Sequence, residues 1–253
     1  MSAVVVNTLR EALRRKQAWV LLIVTGVVMA GASMINVFDL EQQATFAKLT
    51  PLLVIPFVAM VLSTFVAARQ LPTEIRERTL YPLLAKPIHR WQWLVGKYIG
   101  IVLISWLIIL VLFAVFQILI WIKGIEVNAF LYQGLFLMLL QIAVYDAMVL
   151  LLSLILHADA TISLGILIFV GSYLFEKPLW AAIEGAQSLW DRVLLEALYW
   201  VVPQFKLFDV TRAIRYNWDP TPLTVLIPFV LYALCLIVVC LALGSLRLQT
   251  RDL

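Results

Sequence analysis

Charge is scarce in this chain. Of 253 residues only 13% are Asp, Glu, Lys or Arg, while 64% are hydrophobic; soluble domains carry about 25% charged and roughly 45–50% apolar residues. That shortage excludes a soluble globular domain and makes the chain an integral membrane protein. Cysteine is almost absent, and Cys235 and Cys240 share one apolar segment, where they read as small hydrophobes and not as a disulfide framework. The two histidines, His89 and His157, have no second ligand at metal-binding spacing, so no metal site is indicated. Neither Ser105 nor Ser153 has a His or Asp partner at recognisable spacing, so no nucleophilic triad is indicated and an embedded enzyme is the weakest reading.

A phosphate cradle is missing too. Gly96-Lys97 invites comparison with a P-loop, but Trp91 stands where the first glycine must be and Tyr98 where Ser or Thr must follow, so the match fails twice. Short-period repeats and low-complexity tracts are lacking, and a three-plus-three inverted duplication in its simplest form is excluded because the loops of the two halves differ. One membrane domain over residues 1–253 is the economical reading. The net charge of +4 is modest and the basic residues cluster beside apolar spans. Orientation and anionic lipid explain them, and nucleic acid is excluded as a partner.

What is present is a series of apolar runs. Residues 7–17 can be written as an amphipathic helix, Leu9 and Leu13 on one side and Arg10, Arg14 and Lys16 on others, as suits a helix lying in the membrane interface. The first span follows at about 18–37. Its basic flank and the Ala30-Gly31-Ala32 triplet imitate a signal peptide, but the apolar run continues to Val37, so an uncleaved span is expected. A short polar link precedes a second span at about 49–68, with Pro51 in its first turn and a bend expected at Pro56. Further spans are expected at 98–122, 129–156 and 160–175, the last marginal in length. Residues 176–220 form an external segment with helical periodicity over 181–202 (Trp190, Leu194, Leu198, Val201) that Pro203 ends, rich in Trp and Tyr as membrane boundaries are. Asp219-Pro220-Thr221-Pro222 signals the start of a sixth span at 223–246, with Thr221 as cap. The expected fold is therefore all-α, with six transmembrane helices. Basic residues concentrate at 10–16, 69–97 and 247–251, which places both termini and the 69–97 loop in the cytoplasm by the positive-inside bias.

The most informative stretch is that loop, RQLPTEIRERTLYPLLAKPIHRWQWLVGK, Arg69 to Lys97. It mixes charges of both signs, three prolines and an apolar Leu83-Leu84 pair, and is too long for a simple turn. Its order of features is an acidic-basic run (Glu74, Arg76, Glu77, Arg78), then Leu83-Leu84-Ala85-Lys86-Pro87 with Ile88, then Gly96-Lys97. That order resembles the loop between the second and third spans in permeases of the type-2 ABC exporter class, most of all the subgroup of cofactor-maturation and gliding-motility permeases. The resemblance extends over the chain, including Pro203 and Phe208-Asp209 before the last span. It implies a coupling helix over residues 74–88 that fits a groove of a separate cytoplasmic ABC ATPase present in two copies, with ATP and Mg held by that ATPase and no cofactor in this chain. It also implies a second permease copy, identical or a close paralogue, a path lined by the first, second and fifth spans, and a bacterial cytoplasmic (inner) membrane location. A small apolar contact flanked by charge is what an interface needs; the plainer alternative is a loop lying on lipid headgroups. The external segment is a candidate dock for an accessory protein.

One further feature stands inside a span. Asp146 lies near the middle of the fourth, beside Tyr145 and about a turn beyond Gln141. An intramembrane carboxylate is by default a functional candidate, here a pathway contact or the proton relay of a secondary transporter. The structural alternative is a helix lock made through Gln117 or Ser153.

Overall fold

The computed structural model describes residues 23, 25–27, 31, 40–76, 90–124, 129–174, 176–186, 188–201, 203–209, 211 and 222–249. Among them every regular element is a helix: α1 Leu40–Arg76, α2 Arg90–Ile122, α3 Ala129–Ile155, α4 Ala158–Leu174, α5 Glu176–Gly185, α6 Leu189–Val201, a 3-10 turn Phe205–Phe208, and α7 Leu223–Gln249. Four of them hold stretches long and apolar enough to cross a membrane, Lys48–Ala68, Trp91–Ile122, Phe130–Ile155 and Thr224–Gln249, and α4 is apolar but shorter. Of the first expected span only residues 23, 25–27 and 31 are described, all helical. The interfacial helix expected at 7–17 lies outside the described residues.

α3 is the axis of the bundle. It packs against α1, α2, α4, α7 and the 3-10 turn, and every residue from Gln141 to Leu150 is buried. A helix apolar on all sides has no preferred outward face and belongs at the centre of a bundle. α1 joins it as an inner helix, with 72% of its apolar stretch buried against 11% for α7, which is peripheral. The outward faces of α2 and α7 present Leu107, Leu110, Ile118, Leu231, Val238 and Leu246 to the surroundings, an exposed apolar area that only lipid or another protein makes tolerable.

Several boundaries differ from the sequence expectation. The polar link before the second span is helical from Leu40, and the helix runs through Pro51 and Pro56 without ending. It continues past Ala68 to Arg76, so the first quarter of the Arg69–Lys97 stretch extends the second span. At the other end of that stretch α2 is already helical at Arg90, so Gly96-Lys97 sit inside the helix instead of opening it. Propensity explains both: Arg, Gln, Leu and Glu favour helix, and a started helix propagates at small cost. α2 stops at Gly124, whose φ of 66° lets Gly124 N–H bond the Trp121 carbonyl at 3.0 Å, the left-handed stop glycine makes without strain.

The stretch between α4 and the 3-10 turn holds two helices where the periodicity over 181–202 suggests one. Gly185 ends α5, and Ser188 starts α6 by accepting the Trp190 N–H on its hydroxyl at 3.3 Å and the Arg192 N–H on its carbonyl at 3.1 Å, the work of an N-cap serine. On α6 the residues Leu189, Trp190, Val193 and Leu194 share one face, are 56–82% exposed, and no described residue covers them; Arg192 pairs with Glu196 at 3.0 Å elsewhere on the helix. Past Pro203 the chain turns back into the bundle. Phe205 and Phe208, three apart and thus on one side of the 3-10 turn, are both fully buried, and the Gln204 N–H is held by the Tyr232 hydroxyl of α7 at 3.2 Å. α7 begins at Leu223 with the Pro222 carbonyl accepting from Val225 N–H; Thr221 lies outside the described residues.

Candidate functional site

The polar residues of the spans gather around the middle of α3. Gln141 and Tyr145, four apart, share a face, and Asp146 is turned about 100° from Tyr145. Asp146 is fully buried and its Oδ1 accepts from the Ser63 hydroxyl of α1; Ser105 of α2, which also donates to the Ile101 carbonyl at 3.1 Å, faces the same carboxylate. Neither partner named from sequence is used. Ser153 donates to the Leu150 carbonyl of its own helix at 2.7 Å, and the Gln117 amide is buried with no hydrogen-bond partner among the described residues. The lock therefore joins α3 to α1 and faces α2 at Ser105, because the Asp146 direction from the α3 axis points to those two helices.

Tyr145 meets the next residue of α1. Its hydroxyl lies 2.5 Å from the Thr64 hydroxyl, which also donates to the Met60 carbonyl at 2.8 Å, and its ring meets Phe169 and Phe205 edge-on at 5.5 and 5.8 Å, a favoured aromatic geometry. Gln141 donates both N–H bonds of its amide, to the Tyr173 hydroxyl at 2.6 Å and the Phe205 carbonyl at 3.1 Å. Three residues of α3 thus fasten α1, α4 and the inward-turned segment to one another. Sequence reasoning found Gln141, Tyr145 and Asp146 but missed Ser63, Thr64, Tyr173 and Phe205. The adjacent hydroxyls Ser63-Thr64 in an otherwise apolar run were a legible signal; the role of Phe205 was not, since it depends on the chain re-entering the bundle.

α4 reaches this cluster through a glycine. A Cβ on Gly165 would lie 3.0 Å from the Tyr145 hydroxyl and 3.5 Å from Thr64 and Val149. Replacing Gly165 with leucine is expected to lower stability by about 1–3 kcal/mol through overpacking, with alanine milder. A thermal midpoint in detergent reads the effect, and a leucine variant as stable as the parent would show that α4 packs elsewhere.

The residues assigned to an ATPase contact are placed in part. Glu74 and Arg76 fall on the last turn of α1, while Glu77, Arg78, Leu83, Leu84, Ala85, Lys86, Pro87 and Ile88 lie outside the described residues. Among the described residues no group of three or more His, Cys, Asp or Glu could hold a metal ion. Among the described residues the hydrogen bonds of the cluster run between elements, with Ser63 of α1 donating to the Asp146 carboxylate and Gln141 donating to Tyr173 of α4.

The sequence matches the family model of the ABC-2 family transporter proteins over residues 3–253. The chain belongs to this family. It is accordingly an ABC transporter permease and a multi-pass membrane protein, a membrane subunit whose energy comes from an ATPase partner in a transporter complex. A comparison with curated proteins returns no match. The Gln141–Tyr145–Asp146 cluster ties α3 to α1, α4 and the 3-10 turn.

Proposed function

We propose that this ABC-2 permease is one half of a six-span exporter dimer, homodimeric or paired with a close paralogue, driven by two copies of a cytoplasmic ATPase. The ATPase holds ATP and Mg, and the 74–88 segment carries its closure to the spans. The observation that supports this most directly is the unbroken course of α1. Its apolar stretch ends at Ala68 but the helix continues to Arg76, so residues 69–76 extend the second span by about 12 Å at 1.5 Å per residue. Glu74 and Arg76 ride on that extension, and a push at its tip moves the second span as a rigid body. In this reading both termini lie on the cytoplasmic side with this tip, and the membrane is the inner membrane of a bacterium, as the family indicates. The path would run between permeases along the first, second and fifth spans, and the subgroup would be that of cofactor-maturation and gliding-motility permeases. The exposed face of α6 then lies in the outer membrane interface, where Trp rings are favoured, or receives an accessory protein.

The geometry gives the proton-coupled alternative no support: Asp146 is sealed inside the bundle and bonded to Ser63. Copurification tests the proposal. A tagged chain expressed with its genomic neighbours and extracted in mild detergent is expected to bring down an ABC ATPase in about equal amount, and recovery of the permease without any ATPase sinks it.

A further inference from the structure

A cavity of about 240 Å³ lies between α1, α3, α4 and the segment after the 3-10 turn. Its mouth is marked by Leu53, Phe57 and Leu174, 46–64% exposed, so it opens towards the surroundings of the spans. Its wall is apolar apart from Gln141, Tyr173 and Asp209.

The hydrogen bonding of those three residues is incomplete in a specific way. The Phe205 carbonyl can only accept, so the Gln141 amide must turn its NH2 towards it, and the second N–H goes to the Tyr173 oxygen. Both donors of the amide are then used. The Gln141 Oε1 and the Tyr173 hydroxyl proton have no partner among the described residues, although Gln141 is only 2% exposed. An unpaired acceptor and an unpaired donor beside apolar walls each cost about 1–3 kcal/mol unless something in the cavity meets them. Asp209 directs Oδ1 to the backbone N–H and hydroxyl of Thr211 and has no partner for Oδ2 among the described residues, which puts negative charge at the same end.

We infer that this cavity binds a membrane-borne amphiphile with a single apolar chain and an uncharged hydroxyl head, the chain lying against Met138, Phe169 and Val170 and the head bonding Gln141 and Tyr173. A hydroxyl supplies the one donor and one acceptor that this pair lacks. A carboxylate or phosphate head would offer acceptors only and would meet the Asp209 carboxylate, so anionic amphiphiles are excluded. The site lies within one chain and does not depend on an ATPase partner, so its failure and that of the proposed coupling are separable.

Photolabelling of the purified full-length chain in detergent tests it, using a sixteen-carbon alcohol that carries a diazirine in its chain and the matching fatty acid. The alcohol is expected to label peptides spanning 52–57 and 169–174 saturably, at least fivefold more than the acid. Tyr173→Phe should cut alcohol labelling at least threefold, and Asp209→Asn should raise acid labelling towards that of the alcohol. Leu174→Trp, at the exposed mouth and so harmless to the core, should block both. Equal labelling by alcohol and acid in the parent, labelling unchanged in Tyr173→Phe and Leu174→Trp, or no saturable labelling would each overturn the inference.

Discussion

Changing Leu83 and Leu84 together to aspartate is expected to release the ATPase, lowering the amount recovered with the tagged permease at least tenfold while the permease remains inserted at its usual level. Full burial of one leucine contributes about 1.5–3 kcal/mol, so losing two removes roughly 3–6 kcal/mol, and each 1.4 kcal/mol is tenfold in affinity. Placing carboxylates in the vacated contact adds the cost of desolvating charge. The permease should survive because the pair lies between α1 and α2, and the described core of the bundle is built from α1, α2, α3, α4, α7 and the 3-10 turn. Two alanines in place of two aspartates should give an intermediate loss. ATPase recovery that does not change in the aspartate variant would remove Leu83 and Leu84 from the coupling role and leave the 69–97 loop as a lipid-bound surface.

Asp146 is expected to separate two roles by its response to two substitutions. Asparagine keeps an oxygen where Oδ1 accepts from Ser63, so Asp146→Asn should insert, assemble and support ATP turnover by the transporter at about the parent rate. Leucine removes the acceptor and strands the Ser63 hydroxyl in an apolar site with neighbouring Ser105. The cost is about 1–3 kcal/mol, enough to lower the steady-state level of folded permease several-fold. Quantitative immunoblots of membranes and ATP turnover of the purified complex read the two effects. A normally folded asparagine variant that has lost turnover would show that the proton or charge of Asp146 acts in transport and would overturn its assignment as a helix lock.

Composition and the length of the apolar runs were enough to specify a helical membrane protein, and the order of features between Arg69 and Lys97 was enough to point to the ABC-2 family. Both are properties of contiguous chain: a span must satisfy its own backbone in lipid, so its residues announce it wherever they pack. Boundaries were less legible, because the charged residues after Ala68 continue the helix of α1 as readily as they would form a loop, and only the structure shows the extension to Arg76. The polar cluster was half legible. Gln141, Tyr145 and Asp146 stood out as polar groups in an apolar run, but which helix each one meets depends on its angle around the α3 axis and on how α1, α2 and α4 surround it. For that reason Ser63 takes the place expected of Gln117 or Ser153. The cavity was not legible at all. It is made by the return of Phe205 and Phe208 into the bundle and by a hydrogen bond from Gln141 that uses up one side of an amide. The sequence by itself therefore determined the solvent this protein lives in and the family it belongs to, which local hydrophobicity and motif order encode. Only the tertiary structure decided which polar groups are paired and which are left facing a cavity, because pairing depends on distances between residues that the chain keeps as much as 83 positions apart.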